Sequence, residues 1–309
     1  MNNLNNFPTV WSPTLGRHER IKFMNAQAKR YGIRVNLHKV VDYYYNRNAY
    51  KISGTFINES NFRVENLQCF TYCTFISYLE CLDIWFNSTN EQTVIVCDDD
   101  TDFSTSEYWN FTWDKFISLL PKNWECVQLI RMRKNLDIDI TPNWRDDQYR
   151  EVIYLNDKDH IEPSPRSLQY KLIIRTIPTL NVGGGVFMLT RGYVKKLLDC
   201  YKKGEREYVL NVRSPDGTEI FPFPETTMVS LADGTVYNLP LFVEYTRFNS
   251  TYLNADIRGE SWQKVHENSR DFYYHFWKEN SKYTTIEKLM FNEKINYDDP
   301  GCKNNRVVE

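Results

Sequence analysis

The chain has no long apolar run. No stretch approaches the roughly 20 residues that a membrane-spanning helix needs, so no membrane span is expected. Residues 1–8 are polar and rich in asparagine, without the basic start and apolar run of a secretory leader. A charge imbalance is missing too: 38 Lys and Arg stand against 40 Asp and Glu, a formal net charge of −2. That excludes a chain that holds nucleic acid by its overall charge, while leaving room for a local basic patch. The seven cysteines include no Cys-x-x-Cys pair and no metal-finger spacing. Their odd number favours reduced thiols and a cytoplasmic setting. Nothing repeats at a fixed period, which removes solenoids and propellers from consideration.

What remains is a globular chain, 41% hydrophobic and 25% charged, long enough at 309 residues for one large or two small domains. Aromatics are plentiful, with 21 Tyr, 18 Phe and 8 Trp. They suit stacking on sugars or bases, and equally a core rich in rings.

One stretch concentrates chemistry. Residues 94–97 are apolar and mostly β-branched, as in a strand covered on both faces, and Asp98, Asp99 and Asp100 follow at once. In open α/β sheets, ligands bind where such strands end. Three adjacent carboxylates repel, and stay ionised cheaply only with a cation or hydrogen-bond donors among them. Strand alternation would aim Asp98 and Asp100 one way and Asp99 the other. The pair could then share one hard divalent ion, Mg²⁺ or Mn²⁺, with a bound diphosphate. A solvated acidic turn is the plainer alternative. An EF-hand fits poorly, since its sixth and twelfth positions would hold Phe103 and Trp109. An aspartyl phosphatase loop fits poorly as well, with Asp102 where Thr or Val belongs.

Around that stretch the pattern predicts a strand over 7–12, a turn at Pro13 and Gly16, and a helix over 17–31 with Ile21, Met24, Ala28 and Tyr31 inward. Gly32 closes the helix, and residues 34–41 alternate like a strand. This βαβ opening predicts a parallel sheet. Arg17 and Arg20 sit where the first strand–helix loop would meet a nucleotide's phosphates; Lys22, Lys29 and Arg30 read as a solvated helix face. Residues 42–63 form a loop or flap, 67–86 a buried helix, 113–120 a helix ended by Pro121, and 126–130 a strand. Arg131, Arg133 and Lys134 make a small basic cluster. The polar residues 136–165 read as an insertion over the site, a lid. Strands are expected at 170–174, 186–190 and 236–243, and helices at 191–201 and 261–278. Gly183, Gly184 and Gly185 would let backbone approach a ligand closely, or simply form a flexible turn.

Taken in order, these segments resemble a glycosyltransferase of the GT-A fold, specifically glycosyltransferase family 25, of the lipopolysaccharide-biosynthesis and collagen-galactosyltransferase type. The resemblance rests on Arg17-His18-Glu19-Arg20 with Tyr31-Gly32-Ile33, on residues 73–85, on the apolar strand ending in Asp98-Asp99-Asp100, on Leu119-Leu120-Pro121-Lys122-Asn123-Trp124, on residues 185–198, and on Leu239-Pro240-Leu241 with Ser250. It spans most of residues 8–255. Two departures stand out. Tyr78 follows Ser77 where the family carries a Ser-His pair, and Asp98 replaces a Glu, completing an Asp-x-Asp motif.

The resemblance implies an α/β fold with a mixed, mostly parallel sheet flanked by helices. A single domain would occupy residues 1–260; the C-terminal helix and polar tail of residues 261–309, read from the residue pattern, have no counterpart in the family. It implies transfer, inverting in stereochemistry, of a sugar from a nucleotide-sugar donor, a UDP-sugar first, to an acceptor hydroxyl. Mn²⁺ or Mg²⁺ would be held by Asp98 and Asp100. Arg17, Arg20, Asp98, Asp99, Gly184 and Gly185 would contact the donor, with Asp98 near the ribose and Asp102 behind the motif. Glu225 would be the base, and His266 or His275 a late metal or diphosphate ligand. The acceptor stays open among glycan, protein and a modified DNA base; Trp144 and Tyr170 are candidates for stacking on it. Two rival readings are a non-catalytic sugar- or nucleotide-binding relative and a nucleotidyltransferase. The latter would want a glycine-rich first loop, where this chain has Gly16 alone.

Overall fold

The computed structural model describes residues 3–42, 49–53, 65–120, 122–130, 152–154, 173–175 and 185–210, then 224, 228–229, 231–232, 236–238, 241–246, 248 and scattered positions between 266 and 286. In chain order the elements are β1 (Val10–Thr14), α1 (His18–Tyr31), β2 (Val35–Lys39), β3 (Lys51–Ser53), α2 (Glu65–Ser88), β4 (Thr93–Cys97), β5 (Thr101–Asp102), a 3₁₀ turn (Ser104–Tyr108) and α3 (Trp113–Leu119). There follow β6 (Cys126–Gln128), β7 (Val152–Tyr154), β8 (Ile173–Arg175), β9 (Val186–Thr190), α4 (Arg191–Tyr201), β10 (Lys202–Gly204), β11 (Glu207–Val209), β12 (Val236–Asn238) and β13 (Val243–Glu244).

Local chemistry sets the helix ends. Gly32 adopts the left-handed conformation at φ 66° and donates its N–H to the Ala28 carbonyl, closing α1. Thr112 and Thr190 cap α3 and α4, their hydroxyls accepting the N–H groups of Lys115 and Tyr193.

The main sheet runs β2-β1-β4-β9-β6-β12-β8-β7. β1 lies parallel to both β2 and β4, β9 is antiparallel to β4 and β6, and β8 is antiparallel to β12 and β7. With β12 parallel to β6, every strand but β8 and β9 points the same way, so the sheet is mixed with one dominant direction. The chain passes from β1 to β2 on one side, then returns to lay β4 on the other side of β1. The carboxyl ends of β1 and β4 therefore flank a topological switch point, where open α/β sheets take their ligands.

Both faces of the sheet are covered. Ile95 and Cys97 of β4 join Val10, Val127 and Met188 in a core with Met24 of α1 and Trp113 and Phe116 of α3. Val94 and Val96 face the opposite way, with Trp11, Phe187 and Leu189, against Phe75, Leu79, Leu82 and Trp85 of α2 and Tyr193 and Leu197 of α4. No helix among the described residues is long and apolar enough to cross a membrane.

Several expectations need correction. Pro13 lies inside β1, opposite His38 of β2, and not in a turn. It is tolerated because the odd-numbered residues of β1 turn their backbone groups toward β4, as the Thr9 carbonyl accepting from Ile95 N–H shows. The β1–β4 ladder ends at Trp11–Val96, so no donor is missed at Pro13. The inward stripe of α1 is Arg20, Met24, Gln27 and Tyr31. Met24 and Tyr31 are buried as the periodicity suggests and Ala28 packs against the core, but the face also takes in Arg20 and Gln27, whose side chains bond the acids and the segment after them. The expected strand over 236–243 is two, β12 and β13, in different sheets. The expected flap contains β3, which pairs with β11, and the expected lid contains β7, the far edge of the main sheet.

Candidate functional site

β4 carries its alternation one residue past its end. Asp98, like Val94 and Val96, turns toward α2, where the Tyr78 hydroxyl donates to Asp98 Oδ1 at 2.5 Å. The backbone holds Asp98 through its N–H, which donates to the Gly185 carbonyl at 2.8 Å. Gly185, just before β9, has φ +120°, and a Cβ there would stand 2.7 Å from Asp98 Oδ2. The glycine is what lets β9 begin against that carboxylate.

Beyond Asp98 the alternation fails. Thr101 N–H and its hydroxyl both donate to the Asp98 carbonyl, at 3.2 and 2.9 Å, making a tight turn. The turn redirects Asp99 and Asp100 toward the same cation. Nη1 of Arg20 donates to Asp99 Oδ1 at 2.5 Å and to Asp100 Oδ2 at 2.9 Å. The expected pairing of Asp98 with Asp100 on one side, and Asp99 on the other, is thus replaced by Asp98 on α2 and the other two on α1.

The late strand β13 closes the arrangement. It pairs antiparallel with β5, setting Glu244 opposite Thr101, and Tyr245 N–H donates to the Asp100 carbonyl at 2.6 Å. The Phe248 ring lies 5.3 Å from the Arg20 guanidinium, within cation–π range, and packs with Phe23 and Tyr245. His266 Nδ1 bonds Glu244 Oε2. From within α1, Gln27 secures the turn's far side: its amide donates to the Thr101 carbonyl at 2.6 Å, and its Oε1 accepts from Phe103 N–H at 2.7 Å.

The electrostatics follow from this crowding. Burial pushes the Asp98 carboxyl well above the usual range; Asp100 adds to the shift and the Tyr78 hydrogen bond opposes it. Asp100 is pushed up to about 7, first by burial and then by Glu244, with Arg20 pulling the other way. These acids are expensive to ionise without a further cation. Their donor chemistry, carboxylate oxygen throughout, fits Mg²⁺ or Mn²⁺. Among the described residues, however, no three His, Cys, Asp or Glu side chains already form a metal-ligating group.

Other expected residues fall as follows. Arg17 is half-buried at the N-cap of α1, beside the end of β1. Ser77 bonds back to the Cys73 carbonyl of its own helix. Asp102 accepts Ser104 N–H and so shapes the next turn. His275 lies in a helical turn beside Tyr274. Glu225, Gly184, Trp144, Tyr170, Arg131, Arg133 and Lys134 lie outside the described residues. Sequence reasoning missed Glu244, Phe248 and Gln27. Only Gln27 left a signal, standing seven residues after Arg20 and so on the same helix face.

No family model and no curated protein matches the chain. Among solved structures it is similar to the crystal structure of A197 from STIV, at 12% identity and a TM-score of 0.31, over 77% of this chain and 84% of that one.

Proposed function

We propose that the chain is a metal-dependent glycosyltransferase of the GT-A type, moving a sugar from a nucleotide-sugar donor to an acceptor hydroxyl. One observation supports this above the rest. Arg20, which follows β1, and the acids that follow β4 come together at the switch point of a mixed α/β sheet, where nucleotides are held in such folds. Arg17 and the N-terminus of α1 provide positive charge for a diphosphate. Asp98, fixed by Tyr78 and Gly185, is set to accept a hydrogen bond from a donor hydroxyl. Asp100 is the carboxylate for Mg²⁺ or Mn²⁺, which when bound would neutralise charge on the departing diphosphate. An acceptor hydroxyl needs a carboxylate base within hydrogen-bond reach, and Glu225 is our candidate for it.

The test is a thermal-shift screen of nucleotide sugars, each with and without Mn²⁺. A ligand at 100 times its Kd adds about 2.7 kcal/mol. A Mn²⁺-dependent rise with one nucleotide diphosphate series would support the transferase and identify the donor. Stabilisation by a nucleotide with no Mn²⁺ dependence would favour a non-catalytic binding protein. No stabilisation by any of them would remove both.

A further inference from the structure

Asp99 and Asp100 share a single nitrogen. Nη1 of Arg20 bridges the two carboxylates at 2.5 and 2.9 Å, as a small divalent ion would, and Arg20 and Asp99 are both buried. We propose that Arg20 is an exchangeable counter-ion. It occupies Asp99 and Asp100 until a divalent cation takes Asp100, and then turns to the diphosphate of the donor. The inference rests on the metal-dependent reading above and adds an order of events to it.

The geometry argues for exchange. A Mg²⁺ ion sits about 2.0–2.1 Å from a carboxylate oxygen. If it joined Asp100 Oδ2 while Arg20 stayed, two cationic centres would lie within about 5 Å of each other in a poorly screened site. Releasing that oxygen to the ion relieves the repulsion. The arginine has somewhere to go: it lies in the first turn of α1, a 14-residue helix, whose N-terminus favours an anion. Guanidinium matches phosphate as well as it matches carboxylate. The Phe248 ring offers it an apolar and π surface while it changes partners. A purely structural ion pair predicts something different, since its loss would weaken cation and diphosphate binding together.

The experiment separates these. Mn²⁺ alone is titrated into wild type and Arg20→Gln at about pH 8 and followed by electron paramagnetic resonance; UDP is then titrated at saturating Mn²⁺ by calorimetry. The expected result is a split: Arg20→Gln binds Mn²⁺ about tenfold more tightly and UDP about tenfold more weakly. Unchanged or weaker Mn²⁺ binding by the variant, with wild type binding Mn²⁺ normally, overturns the exchange and leaves the metal-dependent reading in place. Mn²⁺ binding by neither protein overturns both. If Arg20→Gln fails to fold, wild type labelled with ¹⁵N-arginine decides. The Arg20 Nε–Hε resonance should move on adding Mg²⁺, with binding verified by calorimetry, and move again on adding UDP. A resonance indifferent to bound Mg²⁺ overturns the proposal.

Discussion

Gly185 and Asp98 are in contact through a missing atom: a Cβ on the glycine would lie 2.7 Å from Asp98 Oδ2. The aspartate cannot simply swing aside, because its other oxygen accepts the Tyr78 hydroxyl. Gly185→Ala therefore meets both a strained φ of +120° and a clash. It should cost about 1–3 kcal/mol in urea unfolding and abolish the Mn²⁺-dependent nucleotide shift. Combined with Tyr78→Phe, which frees the carboxylate, the cost should fall short of the sum of the two single changes. Strict additivity would mean that the two residues do not constrain Asp98 jointly.

Proton binding at the acid turn gives a second test. Asp100 is pushed up to about 7 in the folded chain, against roughly 3.9 when unfolded. Between those values the folded state holds more protons than the unfolded one. Stability contributed by this group is therefore present on the acid side and lost as pH rises. Asp98 is shifted in the same direction. In chelator, unfolding free energy should fall from about pH 5 to about pH 7.5, by at most about 1.4 kcal/mol per pH unit for each proton. Asp100→Asn should remove its share of the slope. Divalent cations compete with those protons, so Mn²⁺ affinity should climb through the same window. A flat wild-type profile in chelator, superimposable on that of the variant, would contradict the crowding of carboxylates described above.

Gln27 gives a third. It satisfies one carbonyl and one N–H of the buried segment that follows the acids. Gln27→Leu leaves both without a partner, at about 1–3 kcal/mol each. Guanidinium unfolding should register a loss of roughly 2–6 kcal/mol, and hydrogen exchange at the Phe103 amide should accelerate relative to Ile95. Exchange unchanged at Phe103 would mean that another group takes over the N–H.

Much of the scaffold was legible in the residues, because it follows from local rules. The apolar run before Asp98 is a doubly buried strand, residues 186–190 and 191–201 are β9 and α4 as expected, and Gly32 ends α1. The acid turn was legible in position but not in aim. Alternation predicts side-chain direction only while a strand lasts, and the Thr101–Asp98 hydrogen bonds end it one residue too soon. Glu244 and Phe248 were not legible. They reach the site through β13–β5 pairing across more than 140 positions of sequence, and no short-range pattern encodes that. Gln27 was overlooked because a search for apolar periodicity passes over a polar residue on a buried face.

Pro13 has a consequence for where the acid segment turns. A parallel pair of strands lengthens by adding donors and acceptors in turn, and the next donor that β1 would offer β4 is the one proline lacks. Beyond Trp11 and Val96 the seam lacks that donor, and the described ladder ends there. The place where the β1–β4 ladder stops, just before the acids, is thus written into the covalent chain. The end of β4 is therefore released from β1 by the composition of β1 itself, and the acid segment can turn toward α1 without breaking a strand–strand hydrogen bond there.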